Sequence, residues 1–303
     1  MTTKLLSVVI PTLGGSTLQK TINSLNNGTI VPNEILLCIP NELAYKVLDL
    51  KYNNIRVIKT NKYGQVLQRF EGFKEAKNEL VLQLDDDIIL DKNCIELMVK
   101  TLDNIEIECA VCPVYYIDNI DPQNLLIKNK FYQSLINPKS NFRLLLNKIV
   151  HGKQKFNDGE ITSSSINIHF NPINKDKQFY ELCWLPGGCV LHKKSNLYLE
   201  NFYKFRGKAY CEDLIHSFYL KQNGVKLFVS KNSFAVIHFY NETSKLNYFK
   251  KLNYIYSEFR ARLFYTNISN SSYLHLILFY FTLYFHLPFT FLIKILKFNA
   301  TRK

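Results

Sequence analysis

The chain has 303 residues, 47% hydrophobic and 21% charged, so it can bury a large core and its composition excludes an intrinsically disordered protein. Lysine and arginine exceed aspartate and glutamate by 38 − 25 = 13, which predicts an anionic partner such as nucleotide phosphates, acidic lipid head groups or nucleic acid. The apolar run Leu5–Ile10 ends at Pro11 and is too short for a secretory signal peptide.

The first third of the chain alternates between strand and helix patterns. Short apolar runs predict strands, and apolar residues at helical spacing predict the helices between them. Repeated βα units of this length predict an α/β fold with a mostly parallel, Rossmann-like sheet flanked by helices. The predicted strands are Leu5–Ile10, Glu34–Ile39, Ile55–Lys59 and Leu80–Leu84, and the predicted helices are about Thr17–Leu25, Glu42–Leu50, Gly64–Ala76 and Cys94–Leu102.

The rest of the chain is less regular. Residues from about Asp118 to Tyr180 show no clear period, and we expect a loop-rich insertion there. We expect residues 1–242 to form one domain and residues 243–303 a helical region. Ordered elements are predicted at Cys183–His192, at a helix from Glu212 to Asn223, at strands Val225–Val229 and Phe234–His238, and at helices beyond about Leu246.

The seven cysteines predict thiols rather than a metal site. Cys109 and Cys112 alone have the C-x-x-C spacing, and no second pair completes a zinc site. Both lie in an apolar run that is typical of a buried strand. Buried thiols in a reducing compartment are therefore favoured.

Three consecutive carboxylates, Asp85, Asp86 and Asp87, directly follow the predicted strand that ends at Leu84. Ligands of a parallel α/β sheet bind beyond the carboxyl ends of its strands. The three charges repel one another, and Mg²⁺ or Mn²⁺ would offset that repulsion and could bridge two phosphates. The alternative is a solvated acidic turn; the position at a strand end favours the metal.

The order of several motifs resembles the family 2 glycosyltransferases with the GT-A fold, of the bacterial surface-glycan type. The resemblance covers about residues 5–262. The motifs that carry it are Ser7-Val-Val-Ile-Pro-Thr12, Gly64-Gln65…Gln68-Arg69…Ala76-Lys77-Asn78, Val81-Leu-Gln-Leu-Asp-Asp-Asp87 and Cys211-Glu212-Asp213-Leu214 followed by a helix.

That resemblance implies a nucleotide-sugar site after the first and fourth strands. Thr12 would help to hold the nucleoside, and Asp86 would belong to the same site. Asp87 would be the main ligand of the metal. Asp85 would lie nearer the ribose and could also bind the metal. Arg69 would lie close to the nucleotide, although a salt bridge on the helix surface is nearly as well supported.

The resemblance makes Asp213 the general base, with Glu212 as its neighbour. Inverting sugar transfer needs one carboxylate that deprotonates the acceptor hydroxyl opposite the leaving diphosphate. Alternatively, both are carboxylates favoured at a helix N-terminus by the helix dipole, and both explanations can hold together.

Four further residues have weaker support. His238 could contact the metal or be a strand-end histidine, and Arg260, in an Arg-x-Arg pair with Arg262, could bind diphosphate or face solvent. Trp184 could stack on the acceptor sugar or lie in the core. The family's aspartate-rich turn after the second strand is absent, and Glu42 could substitute for it or simply begin a helix.

The carboxyl-terminal segment predicts contact with a membrane surface. Tyr273–Ile293 contains no charged residue, but Pro288 interrupts it and its polar residues recur at helical spacing. A basic end, Lys294 to Lys303, suits acidic lipid head groups on the cytoplasmic side. We expect an interfacial anchor, ahead of packing on the catalytic domain and of a true span.

Together these patterns predict a Mn²⁺- or Mg²⁺-dependent inverting glycosyltransferase, peripheral on the inner face of the cell membrane. Its donor would be a nucleotide-diphosphate sugar, and its acceptor a glycan or lipid-linked glycan of capsule or lipopolysaccharide type. The alternatives are a nucleotidyltransferase, which would need a basic residue in the loop Gly14-Gly15-Ser16, and a non-catalytic basic membrane-bound protein. Nucleic acid is not an expected partner, because no basic stripe with interleaved aromatics precedes the tail.

Overall fold

The computed structural model describes residues 5–50, 52–117, 134–172, 175–200, 202–203, 205, 209–237 and 248–283. Its strands are β1 (Leu6–Pro11), β2 (Glu34–Pro40), β3 (Ile55–Thr60), β4 (Leu80–Leu84), β5 (Ile88–Leu90), β6 (Cys109–Ile117), β7 (Phe179–Glu181), β8 (Cys189–Lys193) and β9 (Lys226–Ile237). Its helices are α1 (Leu18–Asn26), α2 (Gln65–Glu75), α3 (Cys94–Asp103), α4 (Asn141–His151), α5 (Glu212–Gln222), α6 (Tyr248–Ile268) and α7 (273–283).

These strands form one mixed sheet in the order β3-β2-β1-β4-β8-β6-β9-β5, with β7 paired to β9. The first four strands are parallel, as the βα repeats predict. Beyond them, β8 runs antiparallel to both β4 and β6, and β6 and β9 are parallel to each other. Parallel pairing is therefore concentrated where the predicted nucleotide-binding half lies.

Helices cover both faces of the parallel strands, which explains why β1 is buried along its whole length. Successive side chains of a strand point to opposite faces. Val8 accordingly belongs to the core cluster that contains Ile22 of α1 and Met98 of α3. Val9 belongs to a separate cluster that contains Phe73 of α2.

Three predicted elements differ from the structure. The helix expected near Glu42–Leu50 is a 3₁₀ helix, Asn41–Val47. The two strands expected at 225–238 are one long strand, β9, whose pairing with β6 shifts register between Pro113 and Val114. The region expected to be loop-rich contains α4, which Ser140 caps by accepting a hydrogen bond from the Arg143 backbone N–H.

The segment around α4 packs on the carboxyl-terminal helices. The buried guanidinium of Arg262 on α6 donates to the Ser165 carbonyl oxygen and to Glu258 one turn earlier. The Ser165 and Thr266 hydroxyls are 2.7 Å apart, and the Ser272 backbone N–H donates to the Ser163 carbonyl at 3.2 Å. The insertion and the C-terminal helices thus share polar contacts as well as apolar ones.

Within these described residues, no helix has the length and apolar character needed to cross a membrane. All seven cysteines are free thiols. Burial raises the pKa of Cys109 to about 11, so this thiol stays protonated at neutral pH. Cys109 and Cys112 are both buried in β6, as their apolar run predicts.

Candidate functional site

The carboxyl ends of β1 and β4 are neighbours in the sheet and bring Thr12 to the acidic triplet. The Thr12 hydroxyl donates to the Asp86 carboxylate, and the Gly14 backbone N–H donates to the same hydroxyl oxygen at 3.0 Å. Thr21, on α1, donates its hydroxyl to the Asp86 carbonyl oxygen at 3.0 Å. Burial raises the pKa of Asp86, and the Thr12 hydrogen bond opposes that rise.

Arg69 joins the acidic triplet to the carboxylates at the start of α5. Its Nη1 donates to both oxygens of Glu212, each at 2.9 Å, and its Nη2 donates to Asp85 Oδ1 at 3.0 Å. Arg69 and Glu212 are both buried. One guanidinium therefore holds two carboxylates that lie far apart in sequence, which is the planar, multi-donor geometry that arginine provides.

Two glutamines of α2, whose roles the sequence motifs do not indicate, complete the arrangement. Gln65 Nε2 donates to Asp85 Oδ1 at 2.9 Å. Gln68 Nε2 donates to the carbonyl oxygens of Thr12 and Cys38, which fixes the ends of β1 and β2. The sequence feature that indicates a role for Gln65 is its spacing from Arg69. Residues four apart on a helix share a face, so Gln65 and Arg69 reach the same carboxylate.

Glu212 and Asp213 occupy the first turn of α5, where the helix dipole favours negative charge. The residue before them, Cys211, has a φ of 57°, a left-handed conformation that costs a non-glycine residue free energy. Burial and the neighbouring Glu212 charge raise the pKa of Asp213 to about 7. A carboxylate with that pKa can accept a proton near neutral pH.

Gly187 and Gly188 let the chain pass close to these carboxylates. A Cβ on Gly187 would lie 2.4 Å from Glu212 Oε1, and one on Gly188 would lie 2.6 Å from Ile88 Cδ1. The Gly188 carbonyl accepts the Asp85 backbone N–H at 2.8 Å, and the Gly187 carbonyl accepts the Gln83 side chain. Glycine is therefore needed at 187 because any side chain would displace Glu212.

The oxygens of the acidic triplet suit a hard divalent ion such as Mn²⁺ or Mg²⁺. Asp85 and Asp86 each use a carboxylate oxygen to accept hydrogen bonds from the protein. No group of three or more His, Cys, Asp or Glu side chains among the described residues is arranged to hold a metal alone. His238 lies outside the described residues; the residue before it, Ile237, pairs with Ile88, directly after Asp87.

The other predicted site residues lie in different surroundings. Glu42 is exposed on the 3₁₀ helix after β2 and accepts a hydrogen bond from Tyr63. Arg260 is exposed on α6, 6.0 Å from the centre of the Tyr256 ring, while Arg262 is the buried member of the pair. These contacts of Glu42 and Arg260 do not involve the acidic triplet.

Trp184 does not face a cleft, contrary to the expectation that it stacks on an acceptor sugar. Its side chain is fully buried at 1% exposure, and its indole N–H donates to the Ile168 carbonyl at 3.0 Å. The ring of His169 packs edge-on against it at 5.1 Å. Its large apolar ring and satisfied N–H make it a core side chain that anchors the insertion.

Comparison with known proteins supports the fold and the family. The structure resembles a crystal structure of GalNAc-T7 with UDP, GalNAc and Mn²⁺, with a TM-score of 0.54 and 17% identity over 78% of this chain and 44% of that one. Less similar are S. aureus TarS 1-349 (TM-score 0.46, 15% identity, 77% of this chain and 60% of that one covered) and the mannosyltransferase PcManGT from Pyrobaculum calidifontis in complex with GDP-Man and Mn²⁺ (TM-score 0.48, 13% identity, 79% and 58% covered). The chain spans less than two thirds of the length of each of these proteins.

No curated protein sequence matches the chain significantly. The sequence profile described as Glycosyl transferase family 2 matches residues 7–157, which include Thr12, Arg69 and the acidic triplet. These are the residues that the structure gathers at the carboxyl ends of β1 and β4. This match places residues 7–157 of the chain in glycosyl transferase family 2.

Proposed function

We propose that the chain is a metal-dependent inverting glycosyltransferase. It would transfer a sugar from a nucleoside-diphosphate sugar to a hydroxyl of a glycan or lipid-linked acceptor. One observation carries the proposal: the Arg69 guanidinium binds Asp85 and Glu212 together, so the acidic triplet and the start of α5 share one edge of the sheet. A donor-binding group and a basic carboxylate must be neighbours for this reaction.

The donor would bind at the carboxyl ends of β1 and β4. Thr12 and Asp86, already hydrogen-bonded to each other, would contact the nucleoside, and Asp85 the ribose. Asp87, with Asp85 and His238, would hold Mn²⁺ or Mg²⁺ through oxygen and imidazole ligands. The bound ion would supply positive charge to the diphosphate as it leaves.

Asp213 would take the proton from the acceptor hydroxyl as its oxygen attacks the anomeric carbon. Burial raises the pKa of this carboxyl to about 7, so it binds a proton far more readily than an exposed aspartate. Glu212 accepts two hydrogen bonds from Arg69 and would keep its negative charge beside the base. A single attacking step with one base carboxylate is the inverting mechanism.

The acceptor would lie at a membrane. Residues 284–303 follow α7 and end in Lys294, Lys297, Arg302 and Lys303, a composition that suits acidic lipid head groups. A peripheral position on the inner face of the cell membrane would give access to lipid-linked intermediates of capsule, lipopolysaccharide or a similar polysaccharide. Glu42 and Arg260 stay proposals for contacts with the nucleotide.

Release of nucleoside diphosphate tests the proposal. Purified protein would be incubated with Mn²⁺ and a panel of nucleotide sugars, and we expect slow donor hydrolysis without acceptor. Asp87→Ala or chelation should abolish it, and fresh Mn²⁺ should restore it only in the chelated wild type. Donor hydrolysis that is unchanged in Asp87→Ala would refute the metal role, and no hydrolysis or transfer with any donor would refute the enzyme.

A further inference from the structure

Helix α4 carries an exposed apolar stripe that nothing in the proposed reaction uses. Phe142, Leu145 and Ile149 are 74%, 53% and 50% exposed. Their spacing of three and four residues places them on one side of the helix. Asn147, Val150 and His151 are the buried residues of the same helix and lie on its other side. Contiguous exposed apolar side chains of this kind mark an interaction surface, whereas exposed apolar side chains that are scattered singly do not.

The charged residues of α4 and of the chain on either side of it are all positive. Residues 134–155 contain five lysines or arginines and no aspartate or glutamate. Lys139, Arg143 and Lys148 are exposed and lie within or just before α4. A helix with an apolar stripe and basic flanks matches a surface that is anionic outside and apolar beneath, as an acidic lipid monolayer is.

Helix α7 presents a second stripe of the same kind. Leu274, Ile277 and Phe281 are exposed at the same helical spacing, while Leu276 and Tyr280 are buried on its other side. The two helices are in contact: the His151 ring at the end of α4 lies 5.6 Å from the Phe279 ring of α7. A Cβ on Gly152, just after α4, would lie 3.6 Å from His275 Nε2.

We propose that the exposed side of α4 is a membrane-binding face that inserts Phe142, Leu145 and Ile149 into an anionic lipid monolayer. The face extends membrane contact from the carboxyl-terminal tail to the insertion after β6. Chain continuity supports a lipid occupant, because residues 284–303 continue from α7 with an apolar run and a basic end. The proposal does not depend on the glycosyltransferase reaction.

Vesicle binding tests the face with the full chain and pure lipids. Binding to vesicles of phosphatidylcholine with phosphatidylglycerol would be compared with binding to phosphatidylcholine alone. Phe142→Ser, Leu145→Ser and Ile149→Ser combined should weaken binding to the anionic vesicles by at least about 30-fold, from partial burial of three apolar side chains. Arg143→Glu with Lys148→Glu should remove most of the preference for anionic lipid.

A matched control substitutes three exposed apolar residues elsewhere on the molecule, Val31, Leu48 and Ile107, by serine. This variant should bind vesicles as the wild type does. Both triple variants should keep the wild-type circular dichroism, thermal midpoint and donor hydrolysis in solution. If neither the wild type nor the two triple variants hydrolysed a donor, only the proposed glycosyltransferase activity would be contradicted, because vesicle binding is measured separately.

A tryptophan probe reports insertion directly. Trp184 is the one tryptophan in the chain and is buried, so the emission change of a Phe142→Trp variant isolates the new residue. Its emission should shift to shorter wavelength and be quenched by brominated lipid when anionic vesicles are added, whereas Leu48→Trp should not change. Three results would each overturn the proposal. The Phe142→Trp emission could already be blue-shifted in buffer, or the serine triple variant could bind vesicles as the wild type does. The third is a concentration-dependent dimer of the wild type that the serine triple variant does not form.

Discussion

Replacing Arg69 by methionine tests the central contact of the site. The change removes three hydrogen bonds, two to Glu212 and one to Asp85, while keeping an unbranched side chain of similar length. Glu212 is 6% exposed, so its carboxylate would stay buried without its cation. Asp85 would keep the Gln65 hydrogen bond and partial contact with water.

Breaking a buried ion pair by removing one partner costs about 3–5 kcal/mol, because the remaining charge is left uncompensated. An unfolding entropy of about 2.1 cal/mol/K per residue means that 303 residues shift their melting temperature by about 1.6 °C per kcal/mol, so Arg69→Met should melt about 5–8 °C lower than wild type. Arg69→Lys should recover only part of the loss, since an ammonium cannot donate to both carboxylates in the fork geometry.

A double-mutant cycle with Glu212→Gln separates the lost charge pair from lost packing. The neutral amide removes the buried charge, so the double variant should be less destabilised than the sum of the singles by at least about 1.5 kcal/mol. Urea unfolding at constant pH, with circular dichroism as the probe, measures each free energy of unfolding. Additive effects in the cycle would refute the claim that Arg69 acts by compensating Glu212.

Three further changes test other parts of the site. Asp213→Asn should remove sugar transfer while leaving donor binding nearly intact, and wild-type kcat/KM should rise with pH through about 7 as the base loses its proton. Because the folded-state pKa of Asp213 lies above its ordinary value of 3.8, wild type should lose stability from about pH 4 to 7, and the asparagine variant should lose less over that range. Gly187→Ala should displace Glu212 and lower turnover at least about tenfold, whereas Gly15→Ala, whose Cβ would lie 3.8 Å from its nearest neighbours, should not. Trp184→Phe should cost about 1 kcal/mol of stability without changing the acceptor KM, since its ring is buried and only one hydrogen bond is lost; a raised acceptor KM would restore the sugar-stacking role.

Local patterns were enough to predict the parallel half of the sheet and the position of its acidic turn. β1, β2 and β4 are continuous apolar runs because helices cover both their faces, and such runs are visible in a single sequence. The acidic residues follow the last of these strands, and the rule for ligand sites in parallel sheets places them at the binding edge.

The long-range contacts could not be predicted in the same way. A surface salt bridge explained Arg69 nearly as well as a nucleotide contact, because nothing in its helical spacing shows that Glu212 lies beside it. Tryptophan occurs both in protein cores and at sugar-binding sites, so the residue type at 184 does not distinguish the two roles. The burial of the Trp184 side chain does. Helix α4 was missed because its apolar residues lie on two sides: Phe142, Leu145 and Ile149 are exposed, whereas Val150 is buried.

The two adjacent carboxylates of α5 are suited to different tasks, although sequence alone treats them as one acidic pair. Both oxygens of Glu212 accept hydrogen bonds from a guanidinium, so protonating it would break a buried ion pair. Asp213 accepts a backbone N–H from Leu214 at one oxygen, and its pKa is raised by burial and by the Glu212 charge. Burial raises the pKa of Glu212, and the Arg69 guanidinium opposes that rise and fixes the carboxylate in place. The Glu212 charge held by this ion pair makes Asp213 the better proton acceptor. Glu212→Gln should therefore lower the apparent pKa of the pH–rate profile while leaving Asp213 in place, and an unchanged profile would mean that burial alone sets that pKa.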